Sequence, residues 1–152
     1  MEFRELATDI ELSEAFPLMS QLRDRIRRDT FLADVRRQQV EGYRIYGGFE
    51  EGRLVSLAGV RRTHTLFRGE HLFVDDLVTS EHDRGKGHGR ALLAWLAEQA
   101  EAQGIRRVYL DSRFTAKGFY EKVGFTLQTS IPCWIDVDNE TLRPRAKESA
   151  GQ

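Results

Sequence analysis

Cysteine is almost absent from this chain: Cys133 is the only one, so no disulfide can form within it. An excess of either charge is also missing, because 23 Lys and Arg stand against 24 Asp and Glu, for a formal net charge of −1. No apolar run approaches the ~18 residues that cross a bilayer, and the N-terminus lacks the apolar core of a signal peptide. We therefore expect a cytoplasmic protein whose partners are neither nucleic acid nor a membrane.

The length and composition are those of one soluble domain. The chain has 152 residues, of which 40% are hydrophobic and 31% charged. We predict a single domain over residues 1–137 and a polar tail over residues 138–152, where apolar residues become scarce.

Apolar periodicity and turn residues predict the order β-α-α-β-β-β-α-β-α-β-β. The predicted strands are 2–6, 43–49, 54–62, 71–78, 107–110, 125–127 and 134–137. The predicted helices begin after Ser13, which is preferred over Asp9 as the cap, at Thr30, near residue 90 and at residue 115. A right-handed crossover through the third helix would make the strands on either side of it parallel. The predicted fold class is therefore α/β, with a mixed sheet and helices on both faces.

The stretch 75–89 combines glycines and basic residues at the start of a predicted helix. Its glycines are Gly85, Gly87 and Gly89, and the basic residues are Arg84, Lys86 and Arg90. Alternating glycines let a backbone approach a ligand with no Cβ in the way, and the unpaired N–H groups of a helix N-terminus favour an anion. The stretch therefore predicts a phosphate-binding loop, although glycine-rich turns without a ligand are also common before helices.

Two motifs decide which phosphate ligand is expected. A P-loop sequence is absent, and Arg90 stands where the dinucleotide fingerprint needs its third glycine. Arg84-x-x-Gly87-x-Gly89 instead resembles the acyl-CoA pyrophosphate loop of the GNAT superfamily of N-acetyltransferases. About 30 residues later, the segment 119–125, Phe-Tyr-Glu-Lys-Val-Gly-Phe, resembles a second signature of that superfamily. The resemblance extends over roughly residues 72–127.

The resemblance implies a GNAT-like fold, acetyl-CoA as the cofactor and a set of binding residues. The two parallel strands would splay apart to admit acetyl-CoA, and the backbone of Leu77 and Val78 would pair with its pantetheine arm. The pyrophosphate would be held by the amides of Gly85, Lys86, Gly87, His88, Gly89 and Arg90, with Arg84 beside them. Arg113 stands where many members carry an asparagine, and it could meet a CoA phosphate or simply be exposed.

Three residues are candidates for proton transfer. Tyr120 matches the motif tyrosine that lies beside the CoA sulfur in the superfamily, and a phenol with a pKa near ~10 is protonated at neutral pH. Asp75 and Asp76 are adjacent acids in an otherwise apolar strand, where acids are costly unless solvated or paired. Adjacent strand residues point to opposite faces, so we expect only one aspartate to face the acceptor, acting as a base through a bridging water. Both could instead be structural.

We predict no metal site, because the four histidines and Cys133 show no ligand spacing. The predicted activity is transfer of an acetyl group from acetyl-CoA to a primary amine, specifically a small cationic amine attracted by the acid pair. The alternatives are a protein lysine or N-terminal acetyltransferase, or a non-catalytic acyl-CoA-binding module. A homodimer is left open.

Overall fold

The structure is a computed structural model, and it describes residues 1–142. The chain divides into two compact units, Met1–Lys117 and Gly118–Gln152. The elements in chain order are β1 (Glu2–Glu5), α1 (Asp9–Leu22), α2 (Arg28–Val40), β2 (Tyr43–Glu50), β3 (Arg53–Thr65), β4 (Gly69–Thr79), α3 (His88–Ala102), β5 (Val108–Leu110) and α4 (Lys117–Val123). All of these elements from β1 to β5 therefore belong to the first unit.

The sheet has five strands in the order β1-β2-β3-β4-β5. The first four pair antiparallel, whereas β4 and β5 pair parallel. The α3 crossover between β4 and β5 accounts for this change of direction, as the sequence predicted.

Helices cover both faces of the sheet, and strand alternation decides which side chains meet which helix. On β2, Tyr43 and Ile45 are buried in one core cluster with α1 and α2 residues. The neighbouring Tyr46 points the other way and contacts Trp95 of α3, with ring centroids 5.5 Å apart. The sheet is thus the middle layer of three, and the α/β prediction with a mixed sheet is confirmed.

The start of α1 differs from the prediction. The cap is Thr8, whose hydroxyl accepts from the Glu11 amide at 3.2 Å while its own amide donates to the Glu11 carboxylate at 3.0 Å. This reciprocal capping box contributes about 1 kcal/mol. Ser13, the preferred candidate, lies inside the helix, and Pro17 does not end it.

The two C-terminal strands predicted at 125–127 and 134–137 do not form within the described residues. Leu127, Ile131 and Trp134 are instead exposed in irregular backbone. A short apolar run forms a strand only when a partner strand satisfies its amides, and local sequence does not report whether a partner is present.

Among residues 1–142, no helix combines the length and the apolar character needed to cross a membrane.

Candidate active site

A β-bulge interrupts β4 at the acid pair. Gly59 of β3 pairs with Asp76, but the next β3 residue, Val60, pairs with Val74, so Asp75 has no residue opposite it. Bulges of this kind bend a strand and re-aim side chains, and they are common beside active sites. Because of the bulge, the side chains of Asp75 and Asp76 do not follow the alternation between opposite faces that adjacent residues of a regular strand show.

Asp76 lies at the centre of a hydrogen-bond network, and its side chain is only 12% exposed. Its Oδ2 accepts from the Tyr43 hydroxyl at 2.6 Å, and its Oδ1 accepts from Arg23 Nε at 2.8 Å. Burial, together with the adjacent carboxylate, raises the pKa of Tyr43 well above its ordinary value, so the phenol stays protonated and donates. Both oxygens of Asp76 thus accept hydrogen bonds from the protein.

Asp75 is paired with a different arginine. Arg61 donates to both of its oxygens, from Nε at 2.6 Å and from Nη2 at 2.8 Å, in a bidentate arrangement. Arg23 also reaches the backbone carbonyl of Asp75, at 2.7 Å. Because Arg23 follows the last residue of α1, it joins the end of that helix to the bulge.

Both aspartates line one cavity of about 770 Å³, bounded by α1, α2 and the bulge. The prediction that only one of them would face such a site is therefore wrong. The reason is the bulge, since the extra residue breaks the two-residue alternation on which the prediction rested. The cavity is of the size that takes a small molecule.

Sequence reasoning missed Gly59, Tyr43, Arg23 and Arg61, which hold the acid pair. A Cβ on Gly59 would lie 2.0 Å from the Tyr43 hydroxyl oxygen and 2.5 Å from Asp76 Oδ2, so only glycine leaves room for their contact. A glycine within an otherwise apolar strand often marks a bulge or a close approach, and this was the available signal.

The parallel pairing of β4 and β5 is short. It runs from Leu72 opposite Val108 to Val74 opposite Leu110 and then stops, whereas β4 stays paired with β3 as far as Thr79. Within the described chain, residues 75–79 thus have no strand partner on the β5 side. This free edge includes Leu77, which is half-buried, and Val78, whose side chain belongs to the core. An extended ligand could pair with the backbone there while both side chains remain packed.

The glycine loop lies between β4 and α3 in the conformation that its composition predicts. Gly85 and Gly87 have φ of +80° and +84°, and a Cβ on either would meet nothing within 4 Å. Gly87 precedes the first residue of α3, and no side chain of the described structure caps that helix. The first amides of a 15-residue helix therefore face open space, with the exposed Arg84 and Arg90 nearby, an arrangement suited to a pyrophosphate.

A buried carboxylate that the sequence did not single out supports this loop. Asp83 accepts from Arg53 at 2.7 and 3.0 Å and from Lys86 Nζ at 3.1 Å, and its side chain is 2% exposed. The Arg53 hydrogen bonds, with Lys86 as the next partner, hold the pKa of Asp83 well below its ordinary value. Lys86 is thereby held within the loop.

Asp83→Asn tests this support through pH. Because the pKa of Asp83 is lower in the folded state than in the unfolded chain, its charged carboxylate stabilises the fold. This stabilisation is complete above the unfolded-chain pKa of about 4 and is lost as the pH falls from there through the lower folded-state pKa. We expect the variant to unfold at lower temperature than the wild type near neutral pH and the difference to shrink in acid. Thermal unfolding from about pH 7 to about pH 2 measures this, and a pH-independent difference would contradict it.

Glu50, Asp83 and His88 bring potential metal-ligand atoms within 4.8 Å of one another, a grouping that sequence spacing does not reveal. Asp83 already binds Arg53 and Lys86, and those two cations oppose a divalent ion. His88 is buried as the first residue of α3, and its Nε2 has no hydrogen-bond partner in residues 1–142. These three side chains are therefore better explained as part of an ion network that supports the loop than as a metal site.

Tyr120 lies in α4, and the backbone around it follows its motif. Gly124 ends the helix with φ of +111°, and the amides of Gly124 and Phe125 donate to the Tyr120 carbonyl at 3.1 and 2.9 Å. The Tyr120 ring packs against Phe119 and Phe125. Burial raises the pKa of Tyr120, so its phenol is protonated at neutral pH.

Arg113, predicted as a cofactor-binding residue, lies in the wall of the 770 Å³ cavity. Its Nη2 donates to the carbonyl of Leu22, near the end of α1, at 3.0 Å. This position makes it available to a molecule inside the cavity, and contact with the cofactor stays a prediction.

Comparison with known proteins agrees with this geometry. The model of the Acetyltransferase (GNAT) family matches residues 7–125. An uncharacterised N-acetyltransferase of Bacillus subtilis (strain 168), YhdJ, is 32% identical over 136 residues, which cover 86% of this chain and 96% of that protein. A glucosamine 6-phosphate N-acetyltransferase of Trypanosoma brucei brucei is 32% identical over 96 residues, covering 62% of this chain and 65% of that protein.

Among solved structures, an acetyltransferase of Trypanosoma brucei superposes with a TM-score of 0.70 and 26% identity, over 90% of this chain and 99% of that one. The family match spans most of the chain, and the sheet, the crossover and the glycine loop fall within it. The chain therefore belongs to the GNAT family and is an acetyl-CoA-dependent N-acetyltransferase.

Proposed function

We propose that the acceptor is a small molecule whose primary amine enters as an ammonium group and binds in the 770 Å³ cavity beside Asp75 and Asp76. The observation that carries this proposal is the β4 bulge, which directs two carboxylates into one cavity beside the free edge of the strand. At the point of reaction, the two carboxylates offer hydrogen-bond acceptors that an ammonium group matches and an anionic group does not.

The cofactor-binding residues proposed from the sequence are consistent with the open features of this chain. The free edge at Leu77 and Val78 offers backbone groups to a pantetheine arm, and the amides from Gly85 to Arg90 would bind the pyrophosphate. Bound acetyl-CoA supplies the thioester whose acetyl group is transferred. The loop and the free edge would hold that thioester beside the cavity, so that the amine would reach it at short range.

Asp75, Asp76 and Tyr120 are the residues that we assign to the proton transfers. Each oxygen of Asp75 and Asp76 already accepts one side-chain hydrogen bond and keeps a further lone pair for an ammonium N–H or a water. We assign them to bind the ammonium and to orient a water that takes up its proton and passes it to bulk solvent. As the new C–N bond forms and the C–S bond breaks, Tyr120 donates its proton to the leaving thiolate. The second proton that the nitrogen loses returns to the tyrosinate through water, which restores the phenol.

A small acceptor is supported by the cavity volume and by the relative named for glucosamine 6-phosphate, an amino sugar phosphate. The test is an acceptor screen with acetyl-CoA that follows free thiol and identifies the acetylated product by mass spectrometry. The panel should contain small amines, lysine-bearing peptides and peptides with free N-termini. Acetylation of small amines supports the proposal, whereas efficient acetylation of peptides alone would overturn it.

Gly87→Val tests the loop. Valine cannot adopt φ of +84° without strain, and its side chain would enter the open space above the helix amides. We expect acetyl-CoA to bind at least about 10-fold more weakly, since a bound pyrophosphate depends on those amides. Calorimetry measures the affinity, and circular dichroism verifies folding.

A folded Gly87→Val variant with wild-type affinity would show that the loop does not bind the cofactor. Gly52→Val provides a matched control, because Gly52 also has positive φ, +76°, and open space around it, but it belongs to the β2–β3 turn.

A further inference from the structure

The cavity beside the bulge is lined by equal numbers of opposite charges. Its arginines are Arg23, Arg25, Arg37, Arg61 and Arg113. Its carboxylates are those of Asp24, Asp34, Glu41, Asp75 and Asp76. A cavity selective for a polyamine would need an excess of negative charge, and this one is formally neutral.

The two aspartates at the bulge form ion pairs with arginines of the same cavity. Arg61 engages both oxygens of Asp75, and Arg23 engages Asp76. The two carboxylates at the bulge are therefore largely neutralised by the protein itself. They can orient one ammonium group, but they offer little further attraction for a second.

The remaining arginines of the cavity are not used in this way. Within residues 1–142, neither Arg25 nor Arg37 forms an ion pair, although both line the cavity. Arg113 donates to a backbone carbonyl, which leaves the rest of its guanidinium donors available. These three residues come from the α1–α2 connection, from α2 and from the segment after β5.

A guanidinium group presents paired donors that match a carboxylate or a phosphate. A second ammonium group would meet these arginines together with Asp24, Asp34 and Glu41, which also form no ion pair within residues 1–142, so it would gain no net attraction. An acceptor with an amine at one end and an anion at the other places each group against the side chains that bind it.

Resting on the proposed function, we propose that the acceptor also carries an anionic group, a carboxylate or a phosphate, which is bound by Arg25, Arg37 and Arg113. The substrate class is then that of zwitterionic small molecules, such as amino acids or phosphorylated amines, and not that of polyamines. This assigns Arg113 to the acceptor in preference to the cofactor.

Matched probes test the proposal. Lysine and cadaverine share a terminal amine and differ by a carboxylate, and glucosamine 6-phosphate and glucosamine differ by a phosphate; spermidine represents the polyamines. For each probe, kcat/KM comes from thiol release, and affinity for the CoA-loaded enzyme comes from calorimetry. We expect the anionic member of at least one pair to exceed its partner by about 10-fold or more in affinity, and the pair that does so identifies the anion.

Two variants connect that preference to the residues. Arg25→Gln and Arg37→Gln should each weaken binding of the preferred anionic probe several-fold and leave binding of its anion-free partner and of acetyl-CoA unchanged. Both side chains are exposed, so their replacement should not affect folding. Arg106→Gln, an exposed arginine outside the cavity, is the matched control.

The outcomes separate this proposal from the one on which it rests. Transfer to cadaverine, glucosamine or spermidine that equals or exceeds transfer to the anionic probes would overturn the anion site and leave small-amine acetylation intact. Binding of an anionic probe that depends on Arg25 and Arg37, without any acetyl transfer, would support the site and count against the proposed reaction. No binding of any anionic probe, or an anion preference that survives both variants, would overturn the proposal.

Discussion

We expect Tyr120→Phe to lower kcat about 100-fold while the affinity for acetyl-CoA changes little, because the variant removes one hydroxyl and keeps the ring that packs against Phe119 and Phe125. Loss of a proton donor affects the departure of the thiolate and not the binding of the cofactor. Steady-state kinetics with calorimetry separates the two effects.

The pH dependence provides a second readout for Tyr120. Because burial raises its pKa, the phenol remains a donor throughout the neutral range, and kcat should not decline on the alkaline side until above about pH 10. Tyr46→Phe is the matched control, since Tyr46 packs against Trp95 on the α3 face of the sheet. Full activity of Tyr120→Phe under conditions where the chemical step limits the rate would remove Tyr120 from the mechanism.

The second large effect is expected at Asp76. Asp76→Asn keeps the shape of the side chain but removes the charge that Arg23 and the Tyr43 hydroxyl engage. A hydrogen bond to a charged group contributes about 1.5–3 kcal/mol, so we expect kcat/KM for the amine to fall by about 10- to 100-fold through both the acceptor site and the network around it. Binding of acetyl-CoA should be nearly unchanged.

Asp75→Asn should also raise the KM for the acceptor, because Asp75 lines the same cavity. The effect should be smaller, since Asp75 is 29% exposed against 12% for Asp76 and lacks a buried tyrosine partner. Glu98→Gln on the exposed surface of α3 controls for loss of a charge alone. Wild-type kcat/KM in both aspartate variants would show that the acid pair is structural and that the amine binds elsewhere.

Local sequence was sufficient to predict the features that a short segment determines by itself. The glycine loop is an example, since Gly85 and Gly87 adopt the positive φ that glycine permits and α3 begins directly after them. The parallel pairing of β4 and β5 was also predictable, because a crossover helix leaves no other common arrangement.

The geometry of the acid pair was not predictable in this way. The bulge at Asp75 results from pairing between β3 and β4, and the sequence of β4 alone indicates only alternation. Arg23 is 53 residues away from Asp76 along the chain, and Tyr43 is 33 away, so no local pattern connects them. The sequence therefore identifies the two carboxylates but not the arginines that neutralise them, and this is why the sequence alone predicts an acceptor that is simply cationic.

The most direct test of acetyl transfer in this cavity is a crystal structure with a bisubstrate analogue, in which the sulfur of CoA is joined through an acetyl linker to an acceptor amine. We predict that the amine nitrogen lies in the cavity lined by Asp75 and Asp76, with the pyrophosphate on the amides that follow Gly85. An analogue bound with its amine arm outside this cavity, or with its pyrophosphate away from the N-terminus of α3, would contradict the proposed site.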